Sequence, residues 1–183
     1  VERLGSGLRI ADPMCGTATM SLEFARRGMA VTAADELRFP VLHARARLLH
    51  GRRYRFSPVA ATYHDALRQL NGLSGVRGFF WREYSDQGAP ENGVKPRAYF
   101  TGANAAKIDA IRRTISDWRT AGLSSSACDI LLHDLILAAN RVANIAGTYG
   151  YYRSSWNSSS LEAIELRPSA TERFHRKHTV VQG

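Results

Sequence analysis

Two aspartates and a glycine near the start of the chain are the residues best placed to bind a small molecule. In ADPMCGTATMSLEF (residues 11–24), Asp12 and Pro13 precede Gly16 and Thr17, and an apolar run with helical spacing follows. Nineteen positions beyond Gly16, Asp35 closes the segment MAVTAAD. A carboxylate at a strand end accepts hydrogen bonds from a pair of ribose hydroxyls, and a glycine lets a ligand approach the backbone. Asp12 would repel a phosphate and attract an ammonium.

The elements needed to hold these groups are legible on both sides. Residues 8–11 form a short apolar run that enters the loop as the end of a buried strand. Met20, Leu22, Phe24 and Ala25 continue with helical spacing to a stop at Gly28. Residues 29–34, small and β-branched, predict a second strand ending on Asp35. Strand, loop, helix and strand make a βαβ unit, with the site at the carboxyl ends of two parallel strands. A dinucleotide would ask for Gly-x-Gly-x-x-Gly and a helix N-terminus facing pyrophosphate, whereas this loop has Gly16 alone. A ligand with a ribose and a cationic amino-acid end fits better, and S-adenosylmethionine is that ligand.

The loop Asp12-Pro13-Met14-Cys15-Gly16-Thr17-Ala18 resembles the Asp-Pro-Phe-x-Gly-x-Gly cofactor loop of adenine-specific DNA methyltransferases. REYSDQG (82–88), RAYFTGANAAKIDAIRRTISDW (97–118) and ANRVANIAGTYGYY (139–152) are similar to segments of a subgroup with a helical insertion in the cofactor domain. The resemblance covers most of the chain, and its second and third segments are far more specific than the loop. It implies an α/β, incomplete Rossmann-like methyltransferase fold, and methylation of DNA of the restriction-modification kind. It further implies a cofactor site formed by Asp12, Pro13, Met14, Cys15, Gly16, Thr17, Asp35 and Glu36. Ala18 stands where the family has its last glycine, which adds a methyl group and removes the freedom of positive φ.

A second departure concerns catalysis. The family uses an Asp-Pro-Pro-Tyr type motif, whose aromatic ring stacks on a flipped-out adenine. Here no two of the six prolines are adjacent, so the motif is absent and no catalytic residue is assigned. Residues 178–183 read as a strand running into a glycine, one step before the family's next acidic loop. The expectation is a cofactor-binding portion completed by a second polypeptide or a continuation, with residues 8–11 at an exposed sheet edge. Two other readings stay open: a non-catalytic DNA- or cofactor-binding remnant, and a methyltransferase acting on a non-DNA substrate.

Three segments follow from this reading: 1–60 as the cofactor-binding βαβα unit, 61–163 as a mainly helical insertion, and 164–183 as the return to the sheet. Thr101 predicts the N-cap of a helix whose buried face is Ile108, Ile111, Ile115 and Trp118. A second helix starts near Ser125 or Ser126 with Asp129 in its first turn, and carries Leu131, Leu132, Leu135, Ala139 and Val142 toward Gly147. His133 and Asp134 interrupt that run and read as side chains on its wet face. Residues 82–97, rich in Gly and Pro and without periodicity, read as a long loop from which Glu83 and Tyr84 reach the cofactor, by resemblance only.

GTYGYYRSSWNSSS (147–160) gathers Tyr149, Tyr151, Tyr152 and Trp156 around Arg153, the composition of a loop that stacks bases and touches phosphates. The alternative is an ordered loop whose aromatics cover the core. Arg45, Arg47, Arg52, Arg53 and Arg55, and again Arg173, Arg176 and Lys177, could follow a DNA backbone or simply form solvated faces. The formal charge of +9 favours a polyanionic partner such as DNA. Cys15 and Cys128 lack disulfide-framework or zinc spacing, so no metal is expected. No run approaches the roughly 18 apolar residues of a spanning helix, and no signal-peptide layout opens the sequence. A cytoplasmic protein without membrane partners is expected.

Overall fold

The computed structural model describes residues 7–49, 54–93, 95–169 and 172–183. In chain order the elements are β1 (Arg9–Asp12), α1 (Thr19–Arg26), β2 (Ala30–Asp35), α2 (Arg38–Leu48), α3 (Tyr63–Gly72), α4 (Phe79–Tyr84), α5 (Gly102–Thr120), α6 (Ser125–Val142), α7 (Ser158–Leu161) and β3 (Thr179–Gln182). The chain is α/β and divides into two units, one of residues 1–55, 124–133 and 169–183 and one of residues 56–123 and 134–168. Among the described residues, no helix is long and apolar enough to cross a membrane.

The first unit contains a parallel sheet of order β1-β2-β3, with Arg9 opposite Ala30, Asp12 opposite Ala33, and Asp35 opposite Gln182. Parallel pairing requires a crossover, which α1 supplies between β1 and β2. Its core is built from small residues, Cys15, Ala18, Ala25, Ala33 and Ala44, with Val31 and Leu48, and Phe24, Phe174 and Val180 pack around them. Small side chains let the loop after β1 lie close to the sheet. On α1 it is Ser21 and Ala25 that are buried, whereas Met20 is exposed. The expected apolar stripe is therefore only partly the inner face. The α2 helix begins through Asp35, whose Oδ1 accepts a hydrogen bond from the backbone N–H of Leu37 at 3.0 Å, an Asx turn.

The second unit is mainly helical, and its irregular segments are fixed by side-chain amides. Asn71 accepts from the Leu166 N–H at 2.8 Å and donates to the Leu166 carbonyl at 2.9 Å. Asn104 treats the segment of Glu162 and Ile164 in the same way. Thr101 caps α5 as expected, accepting from the Asn104 N–H at 3.2 Å, and Ile108, Ile111 and Ile115 are buried along it. The α6 helix starts at Ser125 as expected, but its first turn holds no acid. Ser124 accepts from the Ala127 N–H at 3.3 Å, and Asp129 stands beyond the first turn, where it pairs with Arg45 at 3.7 Å.

Two further expectations are corrected. His133 and Asp134 do not lie on a wet face: they are 3% and 1% exposed. His133 meets the ring of His43, and the Asp134 carboxylate accepts the hydroxyl proton of Tyr63, so each polar group is satisfied inside. The supposed loop 82–97 begins as helix, since Arg82, Glu83 and Tyr84 close α4. Glu83 is buried and faces inward. Its carboxylate accepts from Arg82 at 2.7 Å and from the Glu91 N–H at 3.1 Å, with Arg97 at 3.7 Å. Beyond it Gly88 crosses α4 so closely that a β-carbon there would lie 2.2 Å from the Arg82 carbonyl oxygen.

Candidate functional site

The loop after β1 is held as a tight turn by its own backbone. The Cys15 N–H donates to the Ala34 carbonyl of β2 at 3.0 Å, and the Ala18 N–H donates to the Cys15 carbonyl at 2.7 Å. Gly16 sits at φ +50°, and a β-carbon built on it meets nothing within 4 Å, so its outer side is open to a ligand. Asp35 joins the two halves: its Oδ2 accepts from the Gly16 N–H at 3.1 Å while Oδ1 holds Leu37. Each oxygen keeps a second lone pair, so a ribose diol can be accepted without dismantling the loop. Glu36 is exposed beside it.

Asp12 ends β1 with one oxygen committed. Ser21, fully buried on α1, donates to Asp12 Oδ2 at 2.6 Å. Ser21 is not among the expected site residues, and no motif marks it, because a serine in the first turn of a helix has no distinctive spacing. Its effect is to fix the carboxylate's rotamer. Pro13 and Met14 are exposed, Met14 at 86%, and Thr17 shares a hydrogen bond with Thr19 at 3.1 Å.

Cys15 reports the local field. It is 7% exposed, and burial, with Asp35 and Asp12 adding their charges, pushes its thiol upward from the ordinary cysteine value. A protonated thiol is no nucleophile. The same two carboxylates that disfavour a thiolate favour a cation, so this loop suits a positively charged ligand and opposes a phosphate. Ala18 occupies φ +58° at 0% exposure, the backbone region that usually takes glycine. Its methyl group is part of the core, which offsets the strain of roughly 1–2 kcal/mol that a β-carbon carries there.

In the second unit the aromatic loop is anchored by Asn144, which is 1% exposed. Its N–H donates to Tyr99 O at 2.8 Å, its amide donates to the carbonyls of Ala98 and Arg153, and its own carbonyl accepts from the Arg153 N–H at 2.9 Å. Tyr149 stacks on Tyr99 with centroids 6.2 Å apart and donates its hydroxyl proton to Asn140 at 2.7 Å. Tyr152 meets the edge of Tyr99 at 5.1 Å, and Trp156 is half-buried. Tyr151 differs, with 85% of its surface exposed, and the Arg153 side chain is exposed next to it. Two tyrosines thus cover a ring already in the fold, and one stands free.

Of the basic residues, Arg47 donates to Thr19 Oγ1 at 3.2 Å, while Arg55, Arg173, Arg176 and Lys177 are exposed. Arg52 and Arg53 lie outside the described residues.

The chain is 30% identical over 120 residues to the Type II methyltransferase M.NlaIII of Neisseria lactamica, a match covering 65% of this chain and 34% of that protein. It is 40% identical over 72 residues to the Type II methyltransferase M.FokI of Planomicrobium okeanokoites, covering 39% of this chain and 11% of that one. It is 28% identical over 171 residues to the modification methylase LlaI of Lactococcus lactis subsp. lactis, covering 88% of this chain and 26% of that protein. The chain thus spans about a third or less of the relatives it matches. No family model matches it, and no solved structure does.

Proposed function

We propose that this chain is the cofactor-binding portion of a DNA adenine methyltransferase, with a Rossmann-like fold, that takes S-adenosylmethionine as methyl donor. The observation that carries the reading is the loop of Asp12, Gly16 and Asp35: an open backbone at Gly16, a diol acceptor at Asp35, and a field that favours a cation. Similarity to Type II methyltransferases and modification methylases supports it. Pro13, Met14, Cys15 and Thr17 complete the turn around the methionine end, and Glu36 adds an acceptor beside Asp35. We divide the chain at 1–60, 61–163 and 164–183 on this reading, and assign it to the cytoplasm.

The cofactor, when bound, supplies a methyl group on a sulfonium, to be passed to the exocyclic amino nitrogen of adenine. What these residues do is bind and orient. Ser21 fixes Asp12, Asp35 fixes Gly16, and the turn is therefore formed before any ligand arrives, which lowers the cost of binding. The Asp-Pro-Pro-Tyr element that would hold the adenine is absent from these 183 residues. Catalysis on this reading requires groups from outside them. For DNA, Tyr151 is the base-stacking candidate, Arg153 a phosphate contact, and Tyr149, Tyr152 and Trp156 the support beneath them.

Calorimetric titration with S-adenosylmethionine tests the cofactor site. Asp35→Ala should weaken binding by roughly 1.5–3 kcal/mol, the range for a hydrogen bond to a charged group. Asp12→Ala should weaken it as well. An affinity unchanged in both variants refutes the assignment. Tyr151→Ala should weaken DNA binding by about 1–3 kcal/mol, the worth of one stacked base. Anisotropy of a labelled duplex measures this, and since Tyr151 touches little else, the variant should keep its thermal midpoint.

A further inference from the structure

In the second unit a cleft of about 360 Å³ is lined by Arg77, Gly78, Asp109, Arg112, Arg113 and Ser116. Arg112, Arg113 and Ser116 lie within five consecutive positions of α5, and Arg77 comes from the segment leading into α4. That segment is drawn onto α5 by a hydrogen bond from the Val76 N–H to the Ala106 carbonyl at 2.9 Å, with Gly75 flush against Ala106. Three cations are thus brought to one opening by two parts of the chain about 35 positions apart.

Their charge is poorly neutralised. The carboxylate in the cleft wall, Asp109, is 8% exposed and already engaged, accepting from the N–H groups of Gly78, Phe80 and Trp81. Arg112 approaches it at 3.8 Å, but among the described residues neither Arg77 nor Arg113 has a carboxylate within 4 Å. Two of the guanidiniums are also preorganised. Arg77 lies over the Trp81 ring at 4.6 Å and Arg112 over the Phe80 ring at 5.0 Å, which holds each plane while leaving N–H edges to donate. Planar, oriented forks around a concavity match an oxyanion such as phosphate, and oppose a cation.

From this we infer that the cleft of Arg77, Arg112 and Arg113 binds a phosphate group of a nucleic-acid backbone, with Ser116 as an additional donor. The inference rests on the proposed action on DNA, and adds to it a contact that positions the duplex without reading its sequence. It is separate from the aromatic loop, which shares no residue with the cleft.

Two measurements on the full chain test it. In the first, anisotropy of a labelled duplex is followed across a salt series for the wild type, Arg113→Ala, and Arg77→Ala combined with Arg113→Ala. Affinity should fall several-fold, and the slope of log affinity against log salt should drop by about one per arginine removed. In the second, sodium pyrophosphate is titrated while the arginine Nε–H resonances are observed, and those of Arg77, Arg112 and Arg113 should shift saturably. Duplex binding that depends on Tyr151 but not on Arg113 leaves the DNA reading intact and overturns this site. Pyrophosphate shifts with no duplex binding by the wild type mark a free-phosphate site and overturn both the backbone assignment and the DNA reading. No shift and no change in slope overturn the cleft as an anion site altogether.

Discussion

Replacing Asp109 by alanine will lower the stability of the second unit by about 4 kcal/mol, the scale of removing one partner from a buried charged network. The α4 helix has Gly78 as its N-cap, a residue with no side chain to accept the orphan N–H groups of the first turn. Asp109 supplies that cap from another helix, accepting from Gly78 at 3.2 Å, Phe80 at 3.0 Å and Trp81 at 2.8 Å. Alanine leaves three donors without a protein acceptor at once. Gly78 is held to this role by space: a β-carbon there would stand 2.8 Å from Asp109 Cγ. Asp109→Asn keeps an accepting oxygen but loses the charge, and should cost about half as much. Urea unfolding followed by hydrogen exchange of the α4 amides reads the effect. A loss below about 1 kcal/mol, with exchange of Phe80 and Trp81 unchanged, would show that water replaces the carboxylate adequately.

The contrast between Asp109 and Asp35 shows which parts of this molecule are legible in its sequence. Asp35 is readable because its partners are local: a strand pattern ends on it, and the glycine it serves lies in the loop one crossover earlier. Asp109 sits inside a good helical pattern, IDAIRR, and its charge reads as a solvated position, since nothing in the spacing indicates a segment 28 to 31 residues upstream. His133 and Asp134 fail for the same reason. A polar pair on an apolar helix is solvated unless the rest of the fold brings a partner, and here His43 and Tyr63 are those partners. The helix of residues 102–120 is legible in its cap and its isoleucines, and the start of α6 in its serines, all decided within a few turns, whereas Asp129 lies beyond the first turn of α6 and pairs with Arg45. The arginine cleft illustrates the limit most directly. Arg112 and Arg113 are ordinary helix residues until Arg77 is folded onto them.

Acid will destabilise the first unit through His43. The ring is 3% exposed, and burial, reinforced by the charge of Arg47, pushes its pKa down from 6.5 to about 4. Its Nδ1 lies 2.7 Å from Nδ1 of His133, so one ring must donate and the other present a lone pair. Protonating that lone pair would set two N–H groups against each other inside the core. Above pH 6.5 the neutral form prevails folded and unfolded alike, and the contribution is fully present. As pH falls from 6.5 toward 4, the unfolded chain takes up a proton that the folded one refuses. Stability then drops by up to about 1.4 kcal/mol per pH unit, on the order of 3 kcal/mol in all. His178, also lowered by burial, adds loss of the same sign. Urea midpoints measured from pH 7.5 to 4 should decline over that interval. In His43→Gln, which is less stable at neutral pH, the decline should be shallower. A parent and a variant that lose stability in parallel would place the acid sensitivity elsewhere, in carboxylates such as Glu172 that are held below their ordinary range by an arginine.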